Sequence, residues 1–179
     1  MSAADISVWA GFFGVTAQIG ATLAGLLFVG LTISLGHVLA ARGYLSRAFA
    51  ALFLQLEILI LGLLGLVPGQ PPWVLGAEFA VLGLAMLTGI SAFARNFPED
   101  ENSTVLGGGF PRLFRTALLF CGTLFPVASG IALIVGWHGA LYLLVPGIIA
   151  CVYPAVGYAW VFAVEIPRRA EEQRKPPSP

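Results

Sequence analysis

Long apolar stretches, separated by short polar links, form the dominant pattern along the chain. A helix needs about 20 largely apolar residues to cross about 30 Å of hydrocarbon, because it rises about 1.5 Å per residue. Five stretches meet this requirement. They predict an all-α integral membrane bundle of five transmembrane helices, over approximately residues 9–35, 48–67, 73–94, 113–137 and 140–164.

The basic residues predict the orientation of these spans. Every Lys and Arg lies at the span ends or links of one side, namely Arg42, Arg47, Arg95, Arg112, Arg115, Arg168, Arg169, Arg174 and Lys175. Basic residues favour the cytoplasmic side, so we expect an external amino terminus and a cytoplasmic carboxyl terminus. Residues 1–167 then form the transmembrane domain, and residues 168–179 form a polar cytoplasmic tail. Tryptophan favours the headgroup level, and Trp9, Trp73 and Trp137 lie at the three expected outer ends.

Composition narrows the class of protein. The chain of 179 residues is 58% hydrophobic and only 10% charged, whereas a soluble domain has roughly 25% charged residues. An ordinary soluble domain and a disordered chain are therefore both excluded, and the lipid bilayer is the first expected partner. The net charge is zero, so no nucleic-acid partner is expected. Cys121 and Cys151 lie within apolar stretches, which is typical of reduced thiols rather than of a disulfide framework.

Small residues in the first span predict a site of close helix packing. Lipid gives helices no hydrophobic reason to associate, so membrane helices approach one another through small residues. Ala17, Ala21 and Gly25 stand four residues apart on one stripe, and Gly14 adds a further small position. Two interpretations are open. The stripe packs within one chain, or it makes a contact between protomers.

Four polar residues inside the spans are candidate ion-binding or proton-binding residues: Gln18, Gln55, Glu57 and Glu78. Ionisable groups at membrane depth are costly and therefore mark functional candidates. Counted from the outer ends, Gln18 and Glu57 lie roughly 15 Å deep and Glu78 roughly 8 Å deep. These depths allow a hydrogen bond between Gln18 and Glu57, and a threonine is an alternative partner for the protonated carboxyl group.

The spacing of Gln55 and Glu57 adds a constraint on the second span. Two residues on a helix are about 200° apart, so these side chains cannot share a face. The second span is therefore either central in the bundle, or has one polar face toward another protomer or a watery pore. Glu57 itself has two interpretations. It is a neutral structural acid, or it is a proton or cation site with Gln18 or Gln55 as its partner and Glu78 near the outer mouth.

Enzymatic chemistry has no support in the sequence. Metalloprotease, paired CxxC and nucleophile-elbow motifs do not occur, and no Asp lies in a span. His37 and His138 lie toward opposite membrane boundaries, so they do not predict a shared metal or haem site. We therefore expect a protein that is not an enzyme and that has no cofactor and no bound metal.

The stretches LAGLLFVGLTISL, residues 23–35, and LVPGQPP, residues 66–72, resemble a broad group of small multi-pass bacterial inner-membrane proteins without an assigned activity. Some of that group are labelled modulators of a membrane-bound protease. The resemblance covers the first two spans, implies a location in the inner membrane and transfers no functional residue.

Two functions follow as hypotheses. The first is a homo-oligomeric channel or transporter-like protein for protons or small cations, with Glu57 at its centre. The second is a non-catalytic regulatory or structural subunit that binds another membrane protein through the small-residue stripe.

Overall fold

The computed structural model describes residues 3–40, 42–96, 112–165 and 168. The regular structure in these ranges is helical, which confirms the predicted all-α class. The helices are α1 (Ala3–Ser7), α2 (Ala10–Ala40), α3 (Arg42–Gly65), α4 (Pro72–Asn96), α5 (Arg112–Ile134) and α6 (Leu144–Trp160). A 3-10 turn, Ala140–Leu143, precedes α6, and a π-helical turn, Val161–Glu165, continues it.

Within the described residues, four helical stretches are long and apolar enough to cross a membrane, as expected of a multi-pass membrane protein. They are Ala10–Leu35, Ala48–Gly65, Pro72–Ala92 and Ala140–Val164. The predicted fourth span corresponds to α5, whose apolar part, Phe120–Ile134, is shorter. The predicted tail lies outside the described residues except for Arg168.

Neighbouring helices α2 and α3 pack closely and run in opposite directions. A Cβ added at Gly62 of α3 would lie 2.5 Å from the backbone nitrogen of Ala17, and one added at Gly20 of α2 would lie 2.7 Å from the backbone nitrogen of Leu59. Gly65 lies against the ring of Phe13. Residue numbers fall in α3 as they rise in α2, so the pair is antiparallel.

The remaining neighbours are antiparallel as well. In the α4–α5 pair, Gly76 lies against Gly130, and Gly83 lies against Val127. In the α5–α6 pair, a Cβ at Gly147 would lie 2.7 Å from the Cβ of Phe125. Helix direction therefore alternates along the chain from α2 to α6.

Helices α2 and α6 are consequently parallel, and contacts at both ends show it. At one end, the rings of Trp9 and Tyr142 meet edge to face with centroids 4.9 Å apart. At the other end, the Ser34 hydroxyl donates to the Phe162 carbonyl at 2.6 Å. This bond gives the π-helical turn a partner on α2.

The alternation gathers two residue types at opposite ends of the bundle. The helix termini place Arg42, Arg95, Arg112 and Arg168 at one end, which we call the arginine end. Trp9, Trp73 and Trp137 lie at the other end, which we call the tryptophan end. Trp73 and Trp137 are exposed, which suits side chains that anchor at the headgroup level.

The turn between α5 and α6 sets the position of α6. Gly136 has a φ of 82°, and its amide donates to the Leu133 carbonyl while the Trp137 amide donates to the Ala132 carbonyl. This pattern of a left-handed glycine and two returning hydrogen bonds ends a helix sharply. The Ser129 hydroxyl then donates to the Ala140 carbonyl at 2.9 Å and ties α5 to the start of the next helix.

The apolar core is concentrated at the tryptophan end. A cluster of buried residues there joins α1 to α6, and we call it the tryptophan-end cluster: Ile6, Phe13, Leu61, Leu75, Phe79, Leu133, Ala140, Leu141, Leu144 and Ile148. A second cluster, toward the arginine end, joins α2, α3 and the end of α6 through Leu27, Ala48, Ala51, Tyr158, Val161 and Phe162.

Candidate functional site

Glu57 lies in the interior of the bundle, between the two apolar clusters. Its side chain is 0% exposed. Its neighbours Leu54 and Ile58 pack with Cys151 of α6, and Ile90 of α4 lies against that group. Within the described residues, neither carboxyl oxygen of Glu57 has a hydrogen-bond partner. The carboxyl group is thus enclosed by hydrocarbon.

Cys151 of α6 packs in the same buried cluster as Leu54 and Ile58, the neighbours of Glu57 on α3. It is itself 1% exposed. Gly122 of α5 makes room for it, because a Cβ at Gly122 would lie 2.5 Å from the sulfur. Cys151 therefore belongs to the surroundings of Glu57, which the sequence did not indicate because the two residues come from distant helices.

Gln55 is buried on the other side of α3. It is also 0% exposed, and neither its amide nitrogen nor its amide oxygen has a hydrogen-bond partner in the described residues. Ala51 and Ile58, one turn away on the same face, pack toward the α6 side of the bundle. Both polar faces of α3 are therefore covered within one chain, which selects the predicted arrangement with a central second span.

The hydrogen bond that the sequence allowed between Gln18 and Glu57 is not formed. Gln18 lies on an exposed face of α2, whereas neither Glu57 oxygen has a partner within the described residues. The two residues do not share a face, because α2 turns other residues toward α3. Depth along a helix was therefore an insufficient criterion for pairing.

Glu78 is separate from Glu57 and has a partner of its own. The amide nitrogen of Gln70, in the link between α3 and α4, donates to a Glu78 carboxyl oxygen at 2.6 Å. The amide oxygen of Gln70 is buried and has no hydrogen-bond partner in the part of the chain that the structure describes. The contact ties the link to the first turns of α4 at the tryptophan end.

Only part of the predicted small-residue stripe packs within the chain, and the rest is exposed. Ala17 is buried and lies against Gly62, as packing within one chain requires. Gly25 and Ala21 are exposed and Gly14 is half-buried. A Cβ added at Gly14 or Gly25 would meet no atom within 4 Å. Most of the stripe therefore faces outward, next to Gln18.

The α2 face that does pack against the bundle follows a seven-residue repeat. Its members are Phe13, Thr16, Gly20, Leu23, Leu27, Gly30 and Ser34, which are all buried, and Ala17 beside them is buried as well. Alternate steps of three and four residues are the spacing of a left-handed helix pair. This repeat is present in the sequence, but it mixes aromatic, aliphatic and hydroxyl side chains. The pattern of small residues alone therefore did not predict it.

No group of three His, Cys, Asp or Glu side chains that would hold a metal ion occurs among the described residues. No protein-family model matches the chain, and neither a curated protein nor a solved structure matches it. The function must therefore be inferred from the residues of the chain itself.

Proposed function

We propose that this chain crosses a bacterial inner membrane five times and carries protons or small cations by means of Glu57. The single observation that supports this role is a fully buried carboxyl group without a partner on a central helix. A structural acid would be expected to have hydrogen-bond donors, since unsatisfied buried polar groups are costly. Glu57 has none in the described residues, so its retention suits a group that gains and releases a ligand.

The proposed orientation puts the arginine end in the cytoplasm. The alternating helices and the grouping of arginines at one end support this orientation through the positive-inside preference. In this arrangement Glu78, held by Gln70, lies near the outer mouth. Gln55 lines the opposite side of α3 and contributes a second polar group at membrane depth.

Each protomer has its own site in this proposal. Glu57 is 0% exposed within one chain, beside a cluster from α3, α4 and α6, so a shared central pore between protomers is not needed. Homo-oligomerisation then involves the outward face of α2, with Gln18 and Gly25, and not the proton site.

Flux measurements on purified protein in proteoliposomes test the role of Glu57. We expect Glu57→Gln to abolish proton or cation flux without loss of folding, because the amide keeps the shape of the side chain but does not exchange a proton. Glu78→Gln is the matched control, since it changes a second glutamate in the same bundle, and we expect it to retain most of the flux. Wild-type flux in Glu57→Gln would remove Glu57 from the mechanism.

A second candidate function is a non-catalytic subunit or regulator of another membrane protein. The observation that favours it is the outward face of α2, where Gly14, Ala21 and Gly25 allow close approach of another helix and Gln18 offers an amide. Purification after mild detergent extraction separates the two candidates. A different protein recovered in fixed ratio, and lost in Gly25→Leu, would support the subunit. Recovery of the chain alone would count against it.

A further inference from the structure

Two helices of the bundle are interrupted by buried prolines. Pro126 lies inside α5 and Pro154 lies inside α6, and both are buried. A proline has no amide hydrogen, so it leaves the carbonyl group four residues earlier without its helical donor. The carbonyl groups freed in this way are those of Gly122 in α5 and Ala150 in α6. In a membrane span such a group needs another partner inside the protein, because lipid offers none.

Both freed carbonyl groups lie at the level of Glu57. Gly122 lies against Cys151, the residue after Ala150, because a Cβ at Gly122 would be 3.7 Å from the Cys151 amide nitrogen. Cys151 packs in turn with Ile58, which follows Glu57 on α3. One level of the bundle therefore contains a buried carboxyl group and two carbonyl groups that lack their helical donors.

The freed carbonyl groups lie in the interior of the bundle and not against lipid. A Cβ at Gly147 of α6 would lie 3.6 Å from the Gly122 carbonyl oxygen and 3.4 Å from the Pro126 ring, so this oxygen lies between α5 and α6. Ala150 is only 6% exposed, so its backbone is covered as well. Both oxygens are therefore placed where a ligand inside the protein can use them.

The oxygens at this level are acceptors, and this property selects the ligand. A proton bound to Glu57 supplies one donor, which satisfies only one other oxygen. A cation without its water shell attracts several oxygens at once, and carbonyl groups of interrupted membrane helices are suited to hold it. Among the buried residues that the structure describes, Glu57 is the only one with an ionisable carboxyl group. A single positive charge therefore leaves the site neutral, which avoids the cost of net charge at membrane depth.

We propose that the ligand of Glu57 is a small monovalent cation such as Na⁺, held by the Glu57 carboxylate and the carbonyl oxygens of Gly122 and Ala150. This inference rests on the proposed function of Glu57 and names the ion that it carries. The ion is the cargo of the protein and not a resident metal. Pro126 and Pro154 are positioning residues, because they keep the two carbonyl oxygens free for the ion.

Binding of radioactive Na⁺ to the purified full-length protein in detergent tests this site. We expect saturable binding that Glu57→Gln abolishes, because the amide has no charge to offset that of the ion. Pro126→Ala restores an amide hydrogen that occupies the Gly122 carbonyl group, so it should weaken binding about tenfold.

Two further proline variants complete the test. Pro154→Ala makes the same change at the Ala150 carbonyl group, and it carries the test if Pro126→Ala is not recovered folded. Pro72→Ala is the matched control, because Pro72 is the first residue of α4, where an amide has no helical acceptor. We expect Pro72→Ala to bind Na⁺ as tightly as the wild type.

Absence of saturable Na⁺ binding, binding that persists in Glu57→Gln, or an affinity that neither Pro126→Ala nor Pro154→Ala lowers would each overturn the inference. The proposed function has a separate readout in vesicles in which choline replaces sodium. Proton flux there that requires Glu57 would support the proposed function even if Na⁺ does not bind. Na⁺ binding that requires Glu57, without flux of either ion, would instead retain the site and overturn the transport role.

Discussion

Gln18 and Gln55 are the same side chain in two neighbouring apolar helices, yet the fold treats them in opposite ways. Gln55 is completely enclosed by α3 and its neighbours, while Gln18 points away from the bundle. An enclosed amide can be satisfied only by groups or small ligands inside the chain. An outward amide at membrane depth can be satisfied only by another molecule, since lipid tails offer no hydrogen bonds.

In the functions proposed above, the two helices have separate tasks. The interior of α3, with Gln55 and Glu57, is where a proton or cation would bind. The outward face of α2, with Gln18 and Gly25, is where a second copy or another membrane protein would dock. The comparison holds only if the two faces respond independently to substitution.

The largest expected difference in stability is between substitutions at two glycines. Gly62 packs inside the bundle, and Gly25 lies on the outward face of α2. Gly62→Leu should destabilise the protein by about 3 kcal/mol or more, because its side chain would overlap the backbone of Ala17. Gly25→Leu should leave the folded chain intact, because nothing lies within 4 Å of the added Cβ. The free energy of unfolding in mixed micelles measures both effects. Equal losses of stability in the two variants would show that α2 packs against the bundle through its outward face.

Glu57→Met should raise the free energy of unfolding by roughly 1–3 kcal/mol, because it removes two buried oxygens that lack partners. The same variant should have no flux. A gain of stability together with a loss of flux would identify Glu57 as retained for function. Destabilisation would instead show that the carboxyl group holds the bundle together.

Gln55→Met should raise the free energy of unfolding by about 1 kcal/mol, because it removes a buried amide that has no hydrogen-bond partner in the described residues. Unlike the carboxyl group of Glu57, this amide is neutral. Glu57 differs in being ionisable, so flux in Gln55→Met should fall less than in Glu57→Gln. The unfolding and flux assays described above provide both values. Loss of all flux in Gln55→Met would show that flux requires Gln55 as much as it requires Glu57.

Gln18→Leu should have the smallest effect on the isolated chain, since Gln18 lies on an exposed face of α2. Association through the outward face should weaken, because interhelical hydrogen bonds in membranes contribute about 0.6 kcal/mol on average. Energy transfer between labelled chains in vesicles measures this. Lower stability of the dilute monomer would contradict the outward placement of Gln18.

Much of the fold follows from the length of the apolar stretches and the positions of the charged residues. These two features predict the helical class, the alternating direction of the helices and the grouping of arginines at one end. The placement of Gln55 and Glu57 on two faces of α3 also follows from about 200° of rotation, whereas their burial within one chain was only one of two predicted arrangements. These features depend on one helix at a time.

The remaining features depend on which residues meet across helices, and the sequence does not specify that. Gln18 was expected beside Glu57 because their depths match, but rotation of α2 placed Phe13 and Gly20 on the inner face instead. The packing of Cys151 with Leu54 and Ile58 likewise depends on how α6 meets α3.

The central claim is that Glu57 is an exchangeable carboxyl group inside the bundle. Proton-induced infrared difference spectra of the protein in membranes report this group directly, through the C=O stretch of its protonated form. We predict a carboxyl band that changes when the pH is stepped, disappears in Glu57→Gln and persists in Glu78→Gln. A spectrum that Glu57→Gln leaves unchanged would contradict the account.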